Sequence, residues 1–164
     1  MAGTRLTFTI DDQQTRAALD KLQHLDTAPL MRRLGERIQA FTQDRFDEQK
    51  SPDGKLWDKL NPDYAKTKPA HNRDKILTSS GDLHDYIHWQ LLNAQTVLVG
   101  SNAKYAAIHQ FGGTIRPKRG KALSFGGRFF RSVKIPARPF LGISAKDKKE
   151  IREIVIDWVL THRG

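Results

Sequence analysis

Cysteine is absent from this chain of 164 residues. That excludes disulfides, thiolate nucleophiles and thiolate metal sites, and it suits a reducing cytosol. No apolar run approaches the ~18 residues that a membrane-spanning helix needs, so no membrane contact is expected. The start, Met1-Ala2-Gly3-Thr4-Arg5, lacks the apolar stretch of a secretion signal, and export by a cleaved leader is not expected. Acids are missing from the middle of the chain. From Tyr86 to Lys146 there is none, while the same 61 positions hold ten Lys or Arg. An ordinary stretch of that length carries roughly seven acids. Catalytic signatures are missing as well: there is no G-x-S-x-G, no G-x-x-x-x-G-K-[ST] and no G-x-G-x-x-G. Gly112-Gly113 and Gly126-Gly127 flank too little helix to cradle a phosphate.

The excess of cations is general as well as local. The formal net charge is +10 and the pI is near 10.0. That balance implies an anionic partner, either nucleic acid or an acidic protein surface. The length fits one domain, residues 1–164, with an irregular loop at about 51–75 and a basic hairpin at about 114–135.

Hydrophobic spacing predicts the elements. Leu6, Phe8 and Ile10 alternate with Thr7 and Thr9, a half-buried strand. Asp11 or Asp12 caps a first helix carrying Ala18, Leu19, Leu22 and Leu25. A second, longer helix follows Thr27-Ala28-Pro29, with Thr27 as cap and Leu30, Leu34, Ile38, Phe41 and Arg45-Phe46 as its apolar stripe. It stops at the turn Ser51-Pro52-Asp53-Gly54. The loop beyond is pinned by Trp57, with one helical turn near Asp63 to Lys66. Tyr86 to Leu91 and Thr96 to Gly100 read as paired strands, and Tyr105 to Phe111 as a short helix ended by Gly112-Gly113. Arg128 to Ile135 reads as one returning strand. Ile151, Ile154, Val155, Trp158 and Val159 mark a last helix, capped by Ser144 or Asp147, with Ile154 and Trp158 facing the sheet. The sum is α+β: a mostly antiparallel sheet packed with two N-terminal helices and one C-terminal helix.

Candidate sites are few. His84 and His88 stand four apart, but H-E-x-x-H lacks its Glu here and no third ligand suggests itself. They read as polar positions on a half-exposed strand. Asp82 and Asp85 beside His84 belong to no nucleophile motif. No catalytic residue, metal ligand or cofactor is assigned, and the chain is not expected to be an enzyme. The basic run is different. Arg116, Lys118, Arg119, Lys121, Arg128, Arg131 and Lys134 fall within nineteen residues. Three readings stay open: a solvated hairpin, a patch for an acidic protein or neighbouring subunit, or a non-specific contact with DNA phosphates. Phe125, Phe129 and Phe130 either stack bases or pack into the sheet or a subunit seam. The run Ile135-Pro136-Ala137-Arg138-Pro139-Phe140-Leu141-Gly142 is stiff and extended, because each proline fixes its own φ and restricts its predecessor. It reads as a connector that buries Phe140, as part of a self-association surface, or as both.

The order of several short motifs carries a resemblance. Pro52-Asp53-Gly54 comes with Trp57 and Leu60, then Ile76-Leu77 with Ser80-Gly81 and Leu83. Val97 to Gly100 precedes Tyr105-Ala106, Ile108-His109-Gln110-Phe111 and Gly112-Gly113, and Pro136, Arg138, Pro139 and Phe140 close the series. Over residues 30 to 160 this resembles the phage virion morphogenesis family, the tail completion proteins of Mu-like and P2-like tailed bacteriophages. The resemblance implies a structural subunit resembling tail-terminator and neck proteins, acting in the host cytoplasm during assembly and then in the virion at the head-proximal end of the tail. It implies self-association into a ring, commonly a hexamer, and contact with the tail tube, terminator or neck proteins. Trp57, Tyr105, His109, Phe111, Gly112, Gly113, Pro136, Arg138, Pro139 and Phe140 then shape the fold or the subunit seam. The segment Arg116 to Lys134 matches that pattern least well, and its cations face either a neighbouring subunit or packaged DNA.

Overall fold

The computed structural model describes residues 4–6, 26–79, 82–118, 120–125 and 128–162. Helices and short antiparallel sheets make up these residues, an α+β architecture. The expected first helix, and the strand positions Phe8 and Ile10, lie outside the described residues.

Strands β1 (Thr4–Leu6), β2 (Ile87–Asn93) and β3 (Thr96–Ser101) form a three-stranded antiparallel sheet with β3 in the middle. The expected turn between the paired strands is tighter than its sequence suggested: Asn93 pairs with Thr96, and a register shift between Leu91 and Asn93 accommodates the difference. Helix α1 (Ala28–Glu48) lies across this sheet. Gly35 makes the approach close. A Cβ there would sit 2.7 Å from Val97 Cγ2 and 2.9 Å from the Trp89 ring. Thr27 does precede α1, but its hydroxyl donates to the Ala94 carbonyl at 2.5 Å; Asp26 instead accepts from the Ala28 N–H at 3.0 Å. The position is right and the hydrogen bond is not, because the β2–β3 turn offers the hydroxyl a nearer acceptor.

The chain then folds back through a two-residue bridge, Lys50 to Leu56, a short helix α2 (Pro62–Thr67) and a 3-10 turn at Ala70–Asn72. Asn61 caps α2 by accepting from the Asp63 and Tyr64 N–H groups. Helix α3 (Asp82–Asp85) leads into β2, so His84 is helical and only His88 is on the strand. Helix α4 (Ala106–Phe111) ends at Gly112 with φ +70°. The last helix, α5 (Ala145–Thr161), begins with a reciprocal capping box: Asp147 N–H donates to Ser144 Oγ, and Ser144 N–H donates to Asp147 Oδ2.

Helix α5 does not pack where the spacing placed it. Ile154 and Trp158 are buried against Leu30 and Leu34 of α1, not against the sheet. The apolar surface of α1 is too wide for one partner. Ile38, Phe41 and Phe46 join the main core with Ile87, Val99 and Phe140, which leaves Leu30 and Leu34 for α5. The two helices run antiparallel, with Arg33–Asp157 at 3.0 Å and Arg37–Glu150 bridging their exposed edge. Such exposed pairs contribute little, so apolar burial holds this layer. Trp158→Ala is therefore expected to lose on the order of 3–5 kcal/mol of unfolding free energy in urea. A loss below about 1 kcal/mol would show that α5 is peripheral to the fold.

Candidate assembly interface

The connector from Ile135 to Gly142 is hydrogen-bonded by three other segments of the chain. The Arg138 N–H donates to the His109 carbonyl at 2.7 Å. Its guanidinium donates to the carbonyls of Asp58 and Lys59 at 2.9 and 3.2 Å. Trp57 Nε1 donates to the Pro139 carbonyl at 2.8 Å. Gln110 does the most. Its Oε1 accepts from both the Phe140 and Leu141 N–H groups, and its Nε2 donates to the Leu141 carbonyl, all at 3.0 Å. From α1, Arg45 donates to the Phe140 carbonyl at 2.9 Å and pairs with Asp147. Two glycines allow close approach, Gly112 to the Ala137 backbone and Gly142 to the Pro52 ring. At Gly112 a Cβ would lie 2.7 Å from the Ala137 nitrogen, and at Gly142, with φ +156°, it would lie 2.5 Å from Pro52 Cγ.

These contacts sort the expected motif residues. Trp57, Arg138 and Phe140 are buried, and Pro136 and Pro139 are half-buried. Phe46 meets Trp57 edge-on and Phe140 at a tilt, with ring centres 5.6 and 5.5 Å apart. They belong to the frame. Phe111 and Tyr105 differ, being 64% and 41% exposed. Gly113 opens the next strand.

The clamp is also electrostatic. Burial pulls the Arg45 guanidinium below its ordinary range, and the adjacent Asp147 carboxylate opposes that shift. Burial likewise lowers Arg138, with Asp58 and Tyr64 opposing. His109 is held below its ordinary value by burial first and then by the Arg138 charge. Its Nδ1 is buried and has no hydrogen-bond partner among the described residues. A neutral ring suits that site.

The basic segment leaves this frame as an antiparallel arm. Strands β4 (Gly113–Ile115) and β7 (Val133–Ile135) pair at its base, and β5 (Leu123–Phe125) and β6 (Arg128–Phe130) pair nearer its tip. The single strand expected from Arg128 to Ile135 is thus two, broken at Arg131-Ser132. The two pairings leave different numbers of residues between them, seven on one side and two on the other, so one ladder cannot run the whole length. Arg116, Lys118, Lys121, Arg131 and Lys134 are exposed, and none makes an ion pair with another described residue. Arg128 donates to Asp63 of α2 at 2.7 Å. Arg119 and the turn Gly126-Gly127 lie outside the described residues. Phe129 is 77% exposed.

His84 lies on α3 and His88 on β2. His84 Nδ1 lies 2.8 Å from Asp85, and its ring meets Phe46 edge-on. No group of three metal-ligating side chains occurs among the described residues. The sequence reading missed Gln110 as a clamp, and a lone amide in a short helix offers no signal for that role. Arg45 did carry a signal: it is a charged residue at a stripe position of α1, and such a side chain needs a buried partner.

A family model described as the phage virion morphogenesis family matches residues 10–160. The chain is 30% identical over 148 residues to "Mu-like prophage FluMu G protein 2" of Haemophilus influenzae, covering 89% of each chain. It is 29% identical over 155 residues to "Putative capsid assembly protein G" of Escherichia phage Mu, covering 92% of this chain and 91% of that one. No solved structure matches the chain.

Gln110→Leu keeps the side-chain volume but strands two buried N–H groups and a carbonyl. At about 1–3 kcal/mol for each unpaired group, the variant should lose about 3 kcal/mol or more in chemical denaturation. A loss under about 1 kcal/mol would mean that the connector does not depend on the amide. His109 gives a pH signature. Its folded value lies below the ordinary 6.5, so the unfolded chain binds the proton first and stability falls as pH drops below about 6.5. His109→Gln should lose less stability than wild type between pH 7 and 5; equal losses would contradict a buried neutral ring.

Proposed function

The chain belongs to the phage virion morphogenesis family, and from that membership we propose that it is a ring-forming tail completion subunit acting at the head–tail joint. The family is one of structural morphogenesis proteins, and the reading assigns no catalysis. The observation that carries the finer role is the division between a clamped frame and a projecting arm. The frame fixes the arm's base through Gly112, Arg138 and Gln110. The arm leaves Phe129 in water. Phe129, exposed two residues from the unpaired Arg131, suits a buried position at an interface. The tail-terminator or neck-like character of the fold, the hexameric ring and contact with the tail tube belong to the same proposal. So does residence in the host cytoplasm before the virion.

A second reading draws on the unpaired cations Arg116, Lys118, Lys121, Arg131 and Lys134. In it the arm lines a channel and touches packaged DNA through phosphates, without reading sequence.

Light scattering on the purified protein is expected to give one defined oligomer; a monomer at every concentration tested would contradict the ring. Phage made without the gene should accumulate unjoined heads and tails, or tails of abnormal length. Normal particles would remove the assembly role.

A further inference from the structure

We propose that the arm tip seats in a groove on a neighbouring copy of this chain, with Phe129 entering the groove and Arg131 meeting carboxylates at its rim. This rests on the ring reading above and states which two faces make the joint.

The groove lies between the Ser51–Asp58 turn and the connector that runs on to α5, and its volume is about 730 Å³. Pro52, Leu56, Pro139 and Ile143 supply apolar lining, and Leu56 is 66% exposed. Asp53 and Asp58 line it too, and both are exposed. A hydrogen bond from Ser51 holds the Asp53 carboxyl below the ordinary carboxylate range, with the Lys55 N–H adding to the shift. Lys55 is the single cation among the described lining residues.

The arm offers the complement. Strand alternation sets its faces. Arg128 pairs with Phe125, Phe130 with Leu123, and Phe129 with Ser124 on the opposite face. The Arg128 face turns toward its own body, as the 2.7 Å contact with Asp63 requires. Phe129 therefore points away from that body, which accounts for its exposure, and it is not among the residues that line its own chain's groove. Phosphate contacts would satisfy the cations but leave Phe129 and Leu56 in water. A second copy satisfies both. Knob and groove are different surfaces of one chain, so the contact is head-to-tail, the type that closes into rings. Exposed acid–base pairs then orient the joint, while the buried aromatic supplies most of its strength.

Because the chain has no cysteine of its own, introduced thiols report proximity without background. Phe129→Cys and Leu56→Cys proteins are purified separately, mixed under reducing conditions and then oxidised. The expected product is a 56–129 disulfide joining two chains, at least tenfold more abundant than the link from Phe129→Cys mixed with Leu92→Cys. Leu92 is a control of comparable exposure, 51%, on β2. Phe129→Ala should weaken wild-type association at least tenfold in light scattering, and Leu92→Ala should not. Cross-linking no better than the control, or closure of a Phe129→Cys, Leu56→Cys double variant on itself without gain of mass, overturns the proposal. So does full association of Phe129→Ala together with weaker binding of a DNA duplex by Arg131→Ala. A wild-type oligomer without the 56–129 link removes this joint and leaves the ring; a wild-type monomer removes the ring itself.

Discussion

The Arg45 guanidinium ties three parts of the chain at one buried point. It reaches from the last turn of α1 to the Phe140 carbonyl and to Asp147, which also caps α5. Taking both charges out of water is expensive, and the pair compensates only because its hydrogen bonds are made. An apolar replacement would fill the volume but leave the Phe140 carbonyl without a donor. The connector, the start of α5 and the end of α1 therefore stand or fall together. Gln110 completes the arrangement by holding the Phe140 and Leu141 N–H groups and the Leu141 carbonyl.

This concentration of buried polar contacts has a consequence for assembly. The base of the arm follows directly from the clamped segment, since Ile135 pairs with Gly113 and Gly112 lies against Ala137. The arm is held in direction at its root, and beyond it Phe129 and the cations Arg116, Lys118, Lys121 and Arg131 are exposed. Its one described tie to the body farther out is the exposed Arg128–Asp63 pair, with side chains 67% and 60% accessible, too weak to fix it alone. A rigid root under lightly tied strands suits the proposed joint, in which β6 would adjust on contact with a neighbouring copy. The groove that the arm is proposed to enter lies against the same connector, so one clamped segment positions both halves of the joint.

Much of this was legible in the sequence, though unevenly. Helix α1 announces itself through a long apolar stripe with a turn signal at its end, and β2–β3 through alternation around a short polar turn. The ends of α4 and α5 follow from a glycine pair and a capping box, both local signals. The partner of Trp158 was not legible, because periodicity shows that a face is apolar and not which face it meets. The division of the basic segment into two ladders was also hidden, since register depends on the partner strand. The motif residues were found, but their sorting into buried frame and exposed surface was not. Arg138 and Phe140 are fold residues, while Phe129, noted only among aromatics of ambiguous role, is the most exposed of the large apolar side chains described.

Amide hydrogen exchange on the free protein tests most directly whether the clamped connector is rigid and the arm is not. The Phe140 and Leu141 amides, both held by Gln110, should exchange as slowly as those of central strand β3, at the level of global unfolding. The amides of β5 and β6 should exchange orders of magnitude faster. Protection in the arm equal to that of β3, or rapid exchange at Phe140 and Leu141, would contradict the account.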